Sequence, residues 1–203
     1  MDVFLTLWKN APIVAFLLFL ISTLSFAIFL ERMANIKRSK ILPKNWQVIK
    51  KELLNRNYDV VLTILSKDKK PVSQILVELL DLYLKKEIKK GELLQLLEEK
   101  LSIVYRDFHK GINFISLSVT LATLLGLLGT VWGLIEIFGA YGLGSETGLK
   151  MLAKGIATSL NSTAAGLLIA IINYILYWLV KERINSVYLK ILKELENLIE
   201  RIT

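Results

Sequence analysis

The 203-residue chain has no cysteine and one histidine, His109. The first absence excludes a disulfide framework, a thiolate metal site and a cysteine nucleophile; the second excludes a multi-histidine metal centre. No nucleophile, base and orienting group converge in what remains, so the sequence predicts no enzyme, no metal site and no cofactor. Charge is missing too, but only locally. Residues 11–30, 111–135 and 155–180 contain no Asp, Glu, Lys or Arg, and each run exceeds the ~18 residues that mark a membrane-spanning helix. Hydrophobic residues make up 54% of the chain, with a mean hydropathy of +0.50, yet 26 Lys and Arg stand against 18 Asp and Glu. Apolar and charged residues must therefore be segregated, which predicts an all-α integral membrane protein with three spans and long helical extensions outside the bilayer.

The first run lacks the basic leader and small-residue cleavage site of a secretory signal, and Glu31-Arg32 follow it directly, so it reads as an uncleaved anchor. Eighteen Lys and Arg lie in residues 31–110 and five more in 181–203, together 23 of the 26. The positive-inside rule places both segments in the cytoplasm, residue 1 outside, and a short glycine-rich external loop at 141–154. The expected order is an external N-terminus and first span (1–30), a cytoplasmic helical bundle (31–110), a second span (111–140), the loop (141–154), a third span (155–180) and a cytoplasmic C-terminal helix (181–203). Trp8 and Tyr141 on one side, with Tyr174, Tyr177 and Trp178 on the other, fit interfacial belts or plain packing equally. The basic excess is accounted for by topology and by anionic lipid as a partner, and nucleic acid is not expected.

Within 31–110, leucines recur with helical period between punctuating residues. Pro43 opens a helix at 44–55, Pro71 opens one at 72–90, and Gly91 separates that from 92–110. Leu93, Leu94, Leu97, Leu101 and Val104 form an apolar face on the last, and the absence of proline beyond it predicts one long helix running into the second span. After Val180, the residues Ile184, Tyr188, Ile191, Leu195, Leu198 and Ile202 repeat at alternating spacings of four and three, a heptad seam on a helix that continues from the third span.

The spans differ in what they carry. Ser22, Thr23 and Ser25 are the polar residues of the first, and each can bond its own helix backbone, so this span reads as lipid-facing. Thr120, Thr123, Gly126, Gly129, Thr130 and Gly133 mark the second; Gly155, Thr158, Ser159, Asn161, Ser162, Thr163, Gly166 and Asn173 mark the third. Small residues spaced three or four apart allow close helix approach and hydroxyls seek partners across it, so helix packing alone is one explanation. The density of polar residues in the third span suggests in addition a wetted path or a polar partner helix. No ionisable group lies at mid-depth; Glu136 is near the outer end of the second span, where a hydrated carboxylate is cheap. If the chain conducts protons, a partner must bring the acid.

The run from Leu125 to Leu134, Leu-Gly-Leu-Leu-Gly-Thr-Val-Trp-Gly-Leu, resembles the LLGTVWG signature of the MotA/TolQ/ExbB proton-channel family. Gly155-Ile156-Ala157 through Thr163 and Gly166 is similar to its third-span signature, and Glu31-Arg32 resembles its ER motif. Three spans with an external N-terminus look most like the TolQ/ExbB branch. The resemblance implies an inner-membrane motor subunit, a homo-oligomer of about five copies around a single-span partner of the ExbD/TolR type whose transmembrane aspartate takes and releases protons. It places Thr130 and Thr163 on the ion path, with Gly126, Gly129, Gly133, Gly155 and Gly166 in helix packing and the ring interface. Thr158 stands where TolQ and ExbB members commonly carry glutamate. With Ser159 and Ser162 it adds oxygen ligands that suit sodium equally. A flagellar MotA-type stator, a non-conducting scaffold and a transporter subunit are the alternatives.

Overall fold

The computed structural model describes the backbone of Trp8, residues 11–141 and residues 146–202, and the side chains of Trp8, 11–138, 152–157 and 159–202. The described residues form eight helices: α1 (Pro12–Asn35), α2 (Arg38–Ile41), α3 (Trp46–Leu54), α4 (Tyr58–Ser66), α5 (Pro71–Leu84), α6 (Lys90–His109), α7 (Ile112–Tyr141) and α8 (Glu146–Ile202). No strand occurs among them. Helices α1, α7 and α8 each contain a stretch long and apolar enough to cross a membrane. The chain is thus all-α with three candidate spans, and α8 carries a long C-terminal extension.

Two compact units divide the chain, one comprising 1–31 and 111–180, the other 32–110 and 181–203. In the first, buried positions follow the helical period: Ile112, Ile115, Ser118 and Ala122 on α7, and Ser159, Ser162, Ala165, Ile169, Ala170 and Asn173 on α8. Helix α1 is less uniformly outward than expected. Its Ile13, Phe16, Phe19 and Phe26 are exposed, but Val14, Ala15 and Leu18 pack with Ala122, Ala165, Ile169 and Ala170 into one cluster. Thr23 bonds its own backbone as anticipated, donating to Phe19 O at 2.8 Å. Ser25 instead is fully buried, and its hydroxyl has no protein partner.

The second unit is a helical bundle whose core includes Ile49, Leu53, Val61, Leu65, Leu76, Leu97, Leu101 and, from α8, Ile191, Leu195 and Leu198. The heptad seam after Val180 is buried as its spacing requires, with Tyr188 partly covered against that core and its ring centroid 4.6 Å from that of Tyr105. A carboxylate absent from the sequence reading fastens this unit: Glu194 on α8 accepts from Trp46 Nε1 at 2.9 Å and pairs with Arg38. These partners are far apart in sequence, so no local pattern announces them.

Helix boundaries depart from expectation at five places. An additional helix, α4, occupies 58–66, and α5 stops at Leu84 rather than continuing to 90. Helices α3 and α5 both end in Schellman turns: Asn57 N–H donates to Glu52 O and Arg56 N–H to Leu53 O, and Glu87 N–H donates to Leu82 O and Lys86 N–H to Tyr83 O. The left-handed residues of these turns are Arg56 (φ 60°) and Lys86 (φ 58°). Gly91 is not the break; it lies in the first turn of α6, where Lys89 N–H donates to the Glu92 carboxylate at 2.9 Å. The long helix expected from 92 through the second span is interrupted at Gly111, whose φ of 85° ends one helix before the next begins. The expected loop at 141–154 is shorter, since α8 is already helical from Glu146; residues 142–145 and the Tyr141 side chain lie outside the described residues.

Candidate functional site on the paired helices α7 and α8

Helices α7 and α8 pack antiparallel along their glycines. A Cβ placed on Gly126 would lie 3.1 Å from Gly166 Cα, and one placed on Gly166 would lie 2.6 Å from Ala122 O and 2.7 Å from Gly126 Cα. Backbone meets backbone here, which is what glycine permits and any other residue prevents. Further along, Gly129 faces Ser162 with a built Cβ 2.7 Å from Ser162 Cβ; Gly133 faces Ser159, and Gly155 faces Ile137. All five glycines singled out in the sequence therefore occupy one contact within a single chain.

That close approach brings two hydroxyls together. Thr163 Oγ1 lies 3.2 Å from Gly126 O, to which it donates, and 3.4 Å from Thr130 Oγ1. Thr130 in turn donates to Leu127 O at 2.5 Å, a bond back to its own helix that leaves its oxygen free to accept. Both threonines are partly exposed, so a polar group approaching from outside the pair could reach them. Ser159 and Ser162 differ, at 3% and 1% exposed. Their side chains are buried against Gly133 and Gly129, and the Ser159 hydroxyl has no protein partner. The side chain of Thr158 lies outside the described residues. Near the C-terminal end of α7, Trp132 Nε1 donates to the exposed Glu136 carboxylate at 3.0 Å, so this acid is engaged by a neighbour on its own helix.

The geometry thus joins Thr130 to Thr163 and places Ser159 and Ser162 inside the helix contact. The sequence foresaw the small-residue contact but not which residues would be enclosed by it, because helical spacing gives a face without saying what covers it. Ser118, which carries no distinguishing sequence signal, and Asn173 are both fully buried.

Residues 67–193 match the MotA/TolQ/ExbB proton channel family. The chain is 44% identical over 68 residues to the biopolymer transport protein exbB1 of Vibrio cholerae, covering 32% of this chain and 29% of that protein. It is 32% identical over 90 residues to the biopolymer transport protein ExbB of Salmonella typhimurium, covering 44% and 37% respectively. The Tol-Pal system protein TolQ of Haemophilus influenzae is 34% identical over 76 residues, covering 37% and 33%. The chain spans about a third of the length of these curated relatives.

Proposed function

The chain belongs to the MotA/TolQ/ExbB proton channel family, in its TolQ/ExbB branch, and on that premise we propose that it is an inner-membrane, multi-pass subunit of an ion-driven motor. Several copies, about five by the family resemblance, surround the single helix of an ExbD/TolR-type partner. That partner supplies the transmembrane aspartate, since the second and third uncharged runs of this chain contain no Asp, Glu, Lys, Arg or His. Movement of protons through the assembly drives motion of the partner relative to the ring and so transmits work toward the outer membrane.

The observation that carries this reading is the hydroxyl pair Thr130–Thr163, 3.4 Å apart in the signature stretches of the two spans. Both hydroxyls donate to backbone carbonyls, Gly126 O and Leu127 O, and their oxygens can accept from a protonated aspartate. Rotation of a hydroxyl away from its carbonyl lets it donate to the ionised form, so the pair can serve either protonation state without bearing charge. In a dry pore such an acid would otherwise face a large desolvation cost. The enclosure of Ser159 and Ser162 in the helix contact favours protons over sodium, because a bound cation needs several oxygens facing it at once.

Thr163→Val keeps the side-chain shape and removes both functions. Loss of one hydrogen bond to a charged group, ~1.5–3 kcal/mol, predicts a fall in ion-driven flux of at least about tenfold. The measurement is proton and sodium flux into vesicles holding the ring with its aspartate-bearing partner. Assembly mass should be unchanged, and Thr130→Val should act in the same direction. Undiminished flux in the double valine variant would sink the assigned path.

A further inference from the structure

We infer that Ser25, Ser118 and Asn173 form an internal water-binding site within the three-span unit. The helix registers bring these residues to one level. At Gly129, α7 meets Ser162 of α8 and Val14 of α1: a Cβ built on Gly129 would lie 2.7 Å from Ser162 Cβ and 3.5 Å from Val14 Cγ1. Both neighbours run antiparallel to α7. Gly133 faces Ser159 whereas Gly126 faces Gly166, and Leu18 clusters with Ala122 rather than with residues beyond Gly129. Ser118 stands eleven residues before Gly129, Ser25 eleven after Val14 and Asn173 eleven after Ser162. Eleven residues are about three turns and ~16 Å of helix, so each step returns to the same face and all three arrive at the same depth.

The three side chains are each 0% exposed. The Ser118 hydroxyl donates to Ile115 O at 2.6 Å, which leaves its oxygen able to accept. Ser25 Oγ and both Asn173 amide atoms, Oδ1 and Nδ2, have no protein partner. In an apolar surround each unpaired group costs several kcal/mol, so three of them at one level require a ligand. The donor set identifies it. Nδ2–H of Asn173 must donate, Oδ1 must accept, and Ser25 can do either. A bare cation would meet the N–H hydrogens and an anion would meet Oδ1, whereas water accepts from the first and donates to the second. Two to four polar partners are what a buried water needs. The bound water ties one residue from each span and so fixes their mutual register at this level, three turns from the Gly129 contact.

The test uses the full chain in deuterated lipid vesicles, with solid-state NMR transfer of magnetisation from water to protein read at the Asn173 side-chain amide. A water cross-peak is expected there and absent at the backbone amide of the neighbouring Ile169. Ser25→Ala should reduce the Asn173 peak by half or more, and exchanging sodium for potassium in the buffer should leave it unchanged. An Asn173 amide without water transfer would mean a direct bond to Ser25 or Ser118 and overturn the site. So would a peak unaffected by Ser25→Ala, or one that follows the sodium concentration.

Discussion

At the residue scale, glycines with the same sequence signal face different obstacles. A Cβ on Gly166 would meet Ala122 O and the Gly126 backbone, neither of which can move without parting the helices. On Gly133 it would meet the Ser159 hydroxyl, and on Gly155 the flexible end of Ile137. Overpacking a close contact costs ~1–3 kcal/mol, and rigid backbone obstacles put Gly166→Ala at the upper end of that range. Gly91 has open space around it in the first turn of α6, so Gly91→Ala should gain up to the ~0.5–1 kcal/mol that glycine costs a helix. Thermal unfolding in detergent should therefore rank Gly166→Ala well below Gly155→Ala, with Gly91→Ala at or above the parent chain. Equal stability of the Gly166 and Gly91 variants would contradict the backbone contact. Sequence spacing announced tight positions on both helices, because only small residues allow such approach. It misplaced Ser25, expected to bond its own backbone on a lipid-facing helix, because the burial of that residue depends on what α1 packs against.

At the element scale, long uncharged runs and the heptad seam were legible because lipid and a buried core each impose a period or a length on the chain. Helix ends were less so, and the reason is local. The breaks after α3 and α5 rest on Arg56 and Lys86 in left-handed conformation, residues whose identity gives no turn signal. Their turns are held by paired backbone bonds to Glu52, Leu53, Leu82 and Tyr83, which stabilise the geometry whatever the side chain. Gly111 did carry the signal, at φ 85°, but the missing proline beside it suggested continuity. A left-handed lysine costs ~1–2 kcal/mol, and glycine returns ~0.5–1 of that as backbone entropy lost on folding. Lys86→Gly should accordingly stabilise the second unit by about 0.5–1 kcal/mol. Denaturant unfolding of the full chain with Trp8, Trp132 and Trp178 replaced by Phe, so that tryptophan emission comes from Trp46 in that core, measures it. A lower midpoint in Lys86→Gly would show that the turn is not set by Lys86.

At the scale of the whole molecule, charge and compactness divide the chain along the same lines. The unit built from 32–110 and 181–203 holds 23 of the 26 Lys and Arg, and the unit built from 1–31 and 111–180 holds the three uncharged runs. Basic residues resist transfer across the inner membrane, so both basic segments should remain on the cytoplasmic side while residue 2 faces outward. If each of the three uncharged runs crosses once, these placements are met with three crossings. The absence of native cysteine makes the test direct, since a single introduced thiol is then the sole target of a maleimide. Asp2→Cys should react with a membrane-impermeant maleimide in intact spheroplasts. Lys51→Cys and Lys190→Cys, both exposed positions of the second unit, should react only after permeabilisation. The pairing of outcomes matters: if residues 2 and 51 react alike, the first run does not cross, and if 51 and 190 differ, an even number of crossings fails between them. Either result would remove the three-span arrangement on which a partner-borne aspartate and the Thr130–Thr163 path both depend.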